Sequence, residues 1–318
     1  MNYRTFSDNA PGPKYEKKGW PCQDWAAKKY IDNAHIIAVA DGHGSNDCFR
    51  SETGARYAVN IVSDQLKEYF ESLAPSSGNP VLFSETGIAN LKYFIWTKWK
   101  QQVKNHWGRN AKSIGKENRY KTVSEKYKER YNSEDESVRE QYLYYAYGTT
   151  LLVAVSIETQ ILLMQIGDGT CVVLQRDGEF RTPVPSDDNN FLNRTTSLCE
   201  DNAHLKIRHT VIEREFESPT YPMAVFLSTD GVDDCFPIHK NEEHLYKLYA
   251  NIIESIIKKG FHVTEKEITK DTLPGLTASG SHDDISLAYF IHADIDILEE
   301  TFNNIDNCYK YEVDDEMQ

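Results

Sequence analysis

Four acidic sites in this chain lie at the ends of short apolar runs, each beside glycine or a second acid. Residues 36–40 run into Asp41-Gly42-His43-Gly44, residues 163–166 into Gly167-Asp168-Gly169, and residues 225–229 into Asp230-Gly231. The fourth site reverses the order, with His282-Asp283-Asp284 placed just before the apolar residues 285–291. Short apolar runs bounded by glycine turns predict buried strands. A carboxylate at a strand end can hold a hard cation, and a neighbouring glycine lets a backbone carbonyl approach the same ion. A single Asp-Gly is ordinary turn chemistry. Four such sites, with Asp24 as a fifth acid after Pro21, predict a shared metal cluster.

Composition narrows the remaining choices. The chain has 318 residues, 40% hydrophobic and 26% charged, the balance of a globular protein. No apolar run approaches the ~20 residues of a membrane span, and residues 1–8 lack the apolar core of a signal peptide. The six cysteines, Cys22, Cys48, Cys171, Cys199, Cys235 and Cys308, form no C-x-x-C pair. A cytoplasmic protein with free thiols is therefore expected. Cys22, Cys48 and Cys235 lie near the acids, which leaves redox sensitivity as a second reading. A net charge of −14 argues against nucleic acid as the main partner.

These acids need strands and helices to bring them together. After the Asp41 turn, residues 49–73 predict a helix with Ala55, Ala58, Val59, Val62, Leu66, Tyr69, Phe70 and Leu73 on one face. A second helix carries Ile88, Leu91, Ile95, Trp99, Val103 and Trp107. Residues 148–155, 160–166 and 170–175 predict an antiparallel meander. Residues 182–204 read as a polar loop, followed by strands at 205–212 and 223–228, a helix at 242–259, and the strand 285–291 with a short helix after it. The expected organisation is one α/β domain over residues 1–318, with a basic helical insert at about 98–147 and an acidic, frayed tail at about 309–318. Residues 98–130 hold eleven Lys and Arg against three acids, a local surplus of +8. This stretch reads as a solvated charged helix with a seam of Tyr120, Tyr127 and Tyr131; the alternative is a segment that docks an acidic or phosphorylated partner.

In series, Gln23-Asp24, Asp41-Gly42-His43-Gly44, Gly148-Thr149-Thr150, Gly167-Asp168-Gly169, Ser228-Thr229-Asp230-Gly231-Val232 and Asp283-Asp284-Ile285-Ser286 resemble the motifs of the metal-dependent protein phosphatases of type 2C, in the family's order. The match spans roughly residues 17 to 291. The opening Gly19-Trp20-Pro21-Cys22-Gln23-Asp24 and the segment 191–196 resemble a bacterial branch. The resemblance implies a four-layer α-β-β-α sandwich (α/β in the broad sense, α+β by sheet type), with two central antiparallel sheets. It also implies a binuclear Mg²⁺ or Mn²⁺ centre at one end, with room for a third ion. Asp41 would bridge two ions, the Gly42 carbonyl would ligate one, and Asp230 and Asp283 would complete the other. Gln23 and Asp24 would act mainly through ion-bound waters. Asp168, with Asp230 and Asp234, resembles the third-ion site, and Asp284 stands beside Asp283.

The implied activity is hydrolysis of phosphoserine and phosphothreonine in a phosphorylated protein, by direct attack of water held between two ions. A cognate Ser/Thr kinase would write the phosphate. Two ions about 3.5–4 Å apart can activate water and clamp phosphoryl oxygens. His43 could protonate the leaving oxygen, or it could be a turn histidine bonded to backbone. The arginine that many relatives place before the first acid is missing here, leaving Lys14, Lys17 and Lys18, with Lys17 and Lys18 as the candidate phosphate-binding residues. Lysine meets phosphate as a point charge, without arginine's fork. The familiar Asp-His-Lys-Pro pattern is also absent after Gly169. A catalytically silent phosphoprotein-binding relative is the alternative, and the retained acids argue against it. Structural Ca²⁺ turns are a third reading, but no D-x-[DN]-x-[DN]-G loop occurs.

Overall fold

The structure, a computed structural model, describes residues 3–31, 33–72, 82–187 and 195–310. Leu73, residues 188–194 of the predicted loop and residues 311–318 of the predicted tail lie outside these. Among the described residues, ten strands form two antiparallel five-stranded sheets. The strands are β1 (Tyr3–Ala10), β2 (Trp25–Ile31), β3 (Ala34–Ala40), β4 (Leu151–Ser156), β5 (Gln160–Ile166), β6 (Thr170–Gln175), β7 (Phe180–Arg181), β8 (Arg208–Glu213), β9 (Pro222–Ser228) and β10 (Ile285–His292). One sheet runs β1-β10-β9-β6-β7 and the other β2-β3-β4-β5-β8.

The sheets face each other, and helices cover both outer sides. Strands buried on both faces need continuous apolar runs rather than alternation, and β4, β5, β9 and β10 are buried throughout. Between the sheets, Ile37 and Val39 of β3 meet Leu152, Leu163, Val225, Leu227 and Phe290. Their neighbours Ile36 and Ala38 point the other way, into a core built with the helices Ser51–Ser72 and Glu85–Asn110. On the opposite side, Phe226 and Tyr289 pack under the helix Asn241–Lys259. The period of two along β3 therefore feeds two different cores.

Several sequence expectations change. The meander breaks after β5: β4 pairs with β5, but β6 pairs with β9 in the other sheet. Gly167, at φ +107°, makes the crossing, and a Cβ there would sit 2.5 Å from the Thr150 side chain. Hydropathy cannot distinguish a hairpin from a change of sheet, because both require an apolar strand, a turn and another apolar strand. Residues 98–110, expected to open the insert, are the second half of a core helix, held there by buried Trp99, Val103 and Trp107. The basic stretch then breaks into short pieces, including Asn118–Thr122, Glu125–Tyr131 and Glu136–Tyr145. The strand expected at 205–212 begins only at Arg208, after a helical turn. Residues 3–10, read as loop, form β1 along β10, where Phe6 and Ala10 add apolar contacts that a polar average conceals.

Candidate metal centre

Strand register collects the acids at one end of the sandwich. Trp25 pairs with Ala40, so Asp24 and Asp41 leave β2 and β3 at the same edge. Leu151 pairs with Ile166, Thr170 with Ser228, and Ser228 with Leu287. These pairings bring Asp168, Asp230 and the Asp283-Asp284 pair to that edge as well. Asp41, Asp168 and Asp230 each offer a carboxylate oxygen, all within 4.8 Å of one another.

The Asp41 turn is held from several sides. Thr150 Oγ1 accepts from the Asp41 amide at 3.0 Å, while the Asp41 carbonyl accepts from Thr149 Oγ1 and the Thr150 amide, both at 2.8 Å. The Gly42 amide donates to the Gln23 carbonyl at 3.2 Å. A Cβ on Gly42 would lie 2.7 Å from the Gln23 and Ser51 carbonyls, so only glycine fits. Among the described residues no donor reaches the Gly42 carbonyl. His43 is pinned by its own amide to the Gly148 carbonyl at 3.0 Å, with its ring against Gly148. Burial lowers the affinity of that imidazole for a proton, although Asp168 and Glu200 pull the other way.

The remaining acids divide by their partners. Asp24 is buried and accepts from Thr229 Oγ1 at 2.6 Å. Asp168 accepts from Thr195 Oγ1, which ties the crossing turn to the loop before β8. Asp284 has both oxygens occupied by backbone amides, Gly12 and Gln23, each at 2.7 Å. It is therefore a strut between β10 and the N-terminal segment. Asp234 is exposed at the end of the helical turn Asp230–Asp233, within the field of Asp283 and Asp168. Gln23 is buried, with Oε1 facing Ser51 and Arg119.

The lysines separate in the same way. Lys14 Nζ lies 3.3 Å from Asp283 Oδ2 and above the Tyr15 ring. Lys18 instead covers the Trp20 ring at 4.5 Å, and Lys17 is exposed. Neither Lys17 nor Lys18 forms an ion pair with the acids among the described residues. The sequence pattern offers Lys14 without singling it out and carries Thr149, Thr195 and Thr229 only as motif or loop residues, and it gives no sign that Tyr15 and Arg119 pack beside the acidic edge. The glycine at position 12 is the available signal for the close approach of the N-terminal turn. A Cβ there would lie 2.3 Å from the Asp283 carbonyl carbon, which shows how tightly the N-terminal turn is pressed onto the acids. All six cysteines are free.

The cluster carries an electrostatic cost that cations would relieve. Burial, then the Asp24, Asp168 and Asp283 charges, push Asp41 well above the usual carboxylate range. Burial and Asp284 do the same to Asp24, against the opposing Thr229 hydrogen bond. Asp230 rises to about 9 through burial and then through Asp41, Asp168, Asp234 and Asp283. An oxygen-only donor set with like charges this close suits Mg²⁺ or Mn²⁺.

A raised carboxylate pKa makes the folded state bind protons that the unfolded chain has released. Its contribution to stability is present below the unfolded value of 3.8 and is lost as pH rises toward about 9 for Asp230. The Tm of cation-stripped protein should therefore fall between pH 5 and pH 9, over the range set by that shift. The Tm gain on adding Mn²⁺ should grow over the same interval, because the ion replaces the protons. Differential scanning fluorimetry in EDTA and in Mn²⁺ reads both trends. A gain independent of pH would separate the cluster from cation binding.

The two-sheet sandwich gathers at one edge a set of carboxylates whose chemistry fits a divalent cation. A family profile described as Protein phosphatase 2C matches residues 11–274, and the chain belongs to that family. It is thus a metal-dependent protein serine/threonine phosphatase by class. Solved structures share the fold. A sex-determining protein of C. elegans aligns with TM-score 0.57 and 14% identity, covering 95% of this chain and 68% of that one. A bacterial serine phosphatase aligns with TM-score 0.50 and 15% identity over 92% and 98% of the two chains. The catalytic domain of the phosphatase PstP in complex with two manganese ions aligns with TM-score 0.50 and 14% identity over 92% and 99%. A search of curated protein sequences finds no match. No helix among the described residues is long and apolar enough to cross a membrane.

Proposed function

We propose that the acidic edge is the catalytic centre, with Asp41, Asp230, Asp283 and the Gly42 carbonyl holding Mg²⁺ or Mn²⁺ and with Asp168 and Asp234 toward a third ion. The observation that carries this reading is the convergence of Asp41, Asp168 and Asp230 within 4.8 Å, with Asp283 close enough to raise the proton affinity of two of them. The manganese ions in the PstP catalytic domain support the choice of metal. When bound, such ions supply Lewis-acid activation of water and neutralise phosphoryl charge.

The chain's own residues supply the rest. Thr149 and Thr150 fix the Asp41 backbone, and Thr229 holds Asp24 against the cluster. His43 is the proton donor to the departing serine or threonine oxygen, and its position is set by Gly148. Lys14, beside Asp283, is better placed than Lys17 or Lys18 to meet the substrate phosphate. The substrates are phosphoserine and phosphothreonine proteins, so a Ser/Thr kinase must precede this enzyme. The bacterial branch is supported by the opening 19–24, and a cytoplasmic setting by the unpaired cysteines.

Phosphate release from a phosphothreonine peptide in Mn²⁺, Mg²⁺ and EDTA tests the proposal. Turnover is expected with either cation and is expected to cease in EDTA. A folded protein that binds Mn²⁺ without turning over any phosphopeptide would instead be the silent binding relative.

A further inference from the structure

The basic segment after residue 110 reaches the metal centre through one side chain. Arg119, on the short helix Asn118–Thr122, is only 6% exposed although its neighbours Asn118 and Lys121 face solvent. Its Nη2 donates to Gln23 Oε1 at 2.9 Å, and its Nη1 donates to Ser51 Oγ at 3.2 Å and to Glu52 Oε2 at 3.1 Å. The guanidinium also covers the Trp20 ring at 4.6 Å. Two residues earlier, Glu117 pairs with Arg50, whose Nε lies 3.0 Å from Glu117 Oε2. Arg50 and Glu52 flank the first residue of the helix Ser51–Ser72, which follows the Asp41 turn. The segment therefore grips that helix start by two ion pairs of opposite sense.

One of these contacts is to Gln23, the residue next to Asp24 in the chain. A guanidinium has donors and no acceptor, so the Gln23 amide must present its oxygen to Arg119. Ser51 Oγ donates to the same oxygen at 3.0 Å. The Gln23 Nε2 group is consequently turned away, buried and without a protein partner among the described residues. Without Arg119 the amide could reverse, because serine can donate or accept. Gln23 adjoins Asp24, its carbonyl holds the Gly42 amide, and its own amide is held by Asp284. A change in its orientation would reach the acids through this backbone.

We infer that Arg119 is a positioning residue for the cation centre: it fixes the orientation of the Gln23 side chain and thereby the Gln23-Asp24 and Gly42 backbone around the acids. The basic segment is, in this respect, a brace for the site. This inference rests on the phosphatase reading, but its main readout does not require turnover.

The test compares Arg119→Met with Glu52→Gln. Both remove the Arg119–Glu52 ion pair, and only the first frees Gln23. Mn²⁺ binding to cation-stripped protein is measured by calorimetry, alongside Tm, kcat and KM. Loss of a group that orients a ligand costs about 10–100-fold in affinity or activity. Arg119→Met is therefore expected to raise the Mn²⁺ Kd at least about 10-fold and to lower kcat more than it raises KM. Glu52→Gln should stay within about twofold on each, well under that range. Effects of Arg119→Met and Gln23→Ala on the Mn²⁺ Kd should be non-additive in the double variant. Equal losses of Tm in Arg119→Met and Glu52→Gln, with the Mn²⁺ Kd unchanged in both, would overturn the inference in favour of a purely structural ion pair. Should Arg119→Met not fold, Arg119→Lys keeps the charge without the fork, and an unchanged Mn²⁺ Kd there would overturn it equally. If wild-type protein binds Mn²⁺ but releases no phosphate, the phosphatase reading fails while the calorimetric comparison still decides the role of Arg119.

Discussion

Asp41→Asn is expected to lower phosphate release by more than about 100-fold, since groups that only orient a metal ligand already cost about 10–100-fold. Asp41 stands at the centre of the cluster. Its carboxylate is among the three that converge within 4.8 Å, and its proton affinity responds to Asp24, Asp168 and Asp283 together. Asparagine keeps the shape and a carbonyl oxygen but loses the charge that attracts a divalent ion. The fold should survive, because Thr149 and Thr150 hold the backbone of residue 41 rather than its side chain. Removing a buried acid from a crowded cluster should also leave the Tm of cation-stripped protein equal to or above that of wild type. The combination sought is a stable protein with little turnover and weakened Mn²⁺ binding. Activity and Mn²⁺ affinity both within about threefold of wild type, far short of that range, would remove Asp41 from the ligand set.

Trp99→Ala is expected to cost about 3–5 kcal/mol in unfolding free energy, the range for deleting a large buried aromatic. Trp99 is fully buried in the helix Glu85–Asn110, and its Nε1 donates to the Gly54 carbonyl at 3.0 Å. Alanine would leave a cavity and strip that carbonyl of its side-chain donor. The effect should extend to the site. A Cβ on Gly54 would lie 1.9 Å from the Tyr147 carbonyl, so the helix Ser51–Ser72, on which Trp99 packs, is pressed against the residue that leads into Gly148, Thr149 and Thr150. Those residues hold His43 and Asp41. Trp99→Phe retains most of the volume and loses the N–H, so its cost should be smaller, about 1–3 kcal/mol. Urea titrations of both variants in EDTA measure this. A loss under about 1 kcal/mol for Trp99→Ala would show that the two-helix layer repacks without it.

The candidate ligands were legible because their signal is local. An apolar run followed by Asp-Gly needs only its own few residues to predict a strand and a turn, and the order of such motifs carried the family resemblance. The helix at 85–110 was legible for a similar reason, since Ile88, Leu91, Ile95, Trp99, Val103 and Trp107 repeat on one face. Strand β1 was not. Its exposed side carries Arg4, and its inward residues are too few to stand out until β10 is known to lie beside it. Linear distance from Asp24 favours Lys17 and Lys18 as the lysines nearest the acids. The turn Pro13–Glu16 instead directs Lys14 toward Asp283, which is remote in sequence.

By itself the amino-acid sequence determined that there are several acids at strand ends, that the strands are buried on both faces, and that the chain resembles a phosphatase family. The first two depend on neighbours within a few positions, and the third on the order of such local motifs along the chain. Tertiary structure alone decided that Gly167 carries the chain between sheets, that Asp284 is spent on two backbone amides, and that Arg119 arrives from a basic segment to hold Gln23. The physical reason is common to all three. A hydrogen bond or a change of sheet is chosen by what lies across space, and the partners here are separated by tens to hundreds of residues, where local periodicity carries no information.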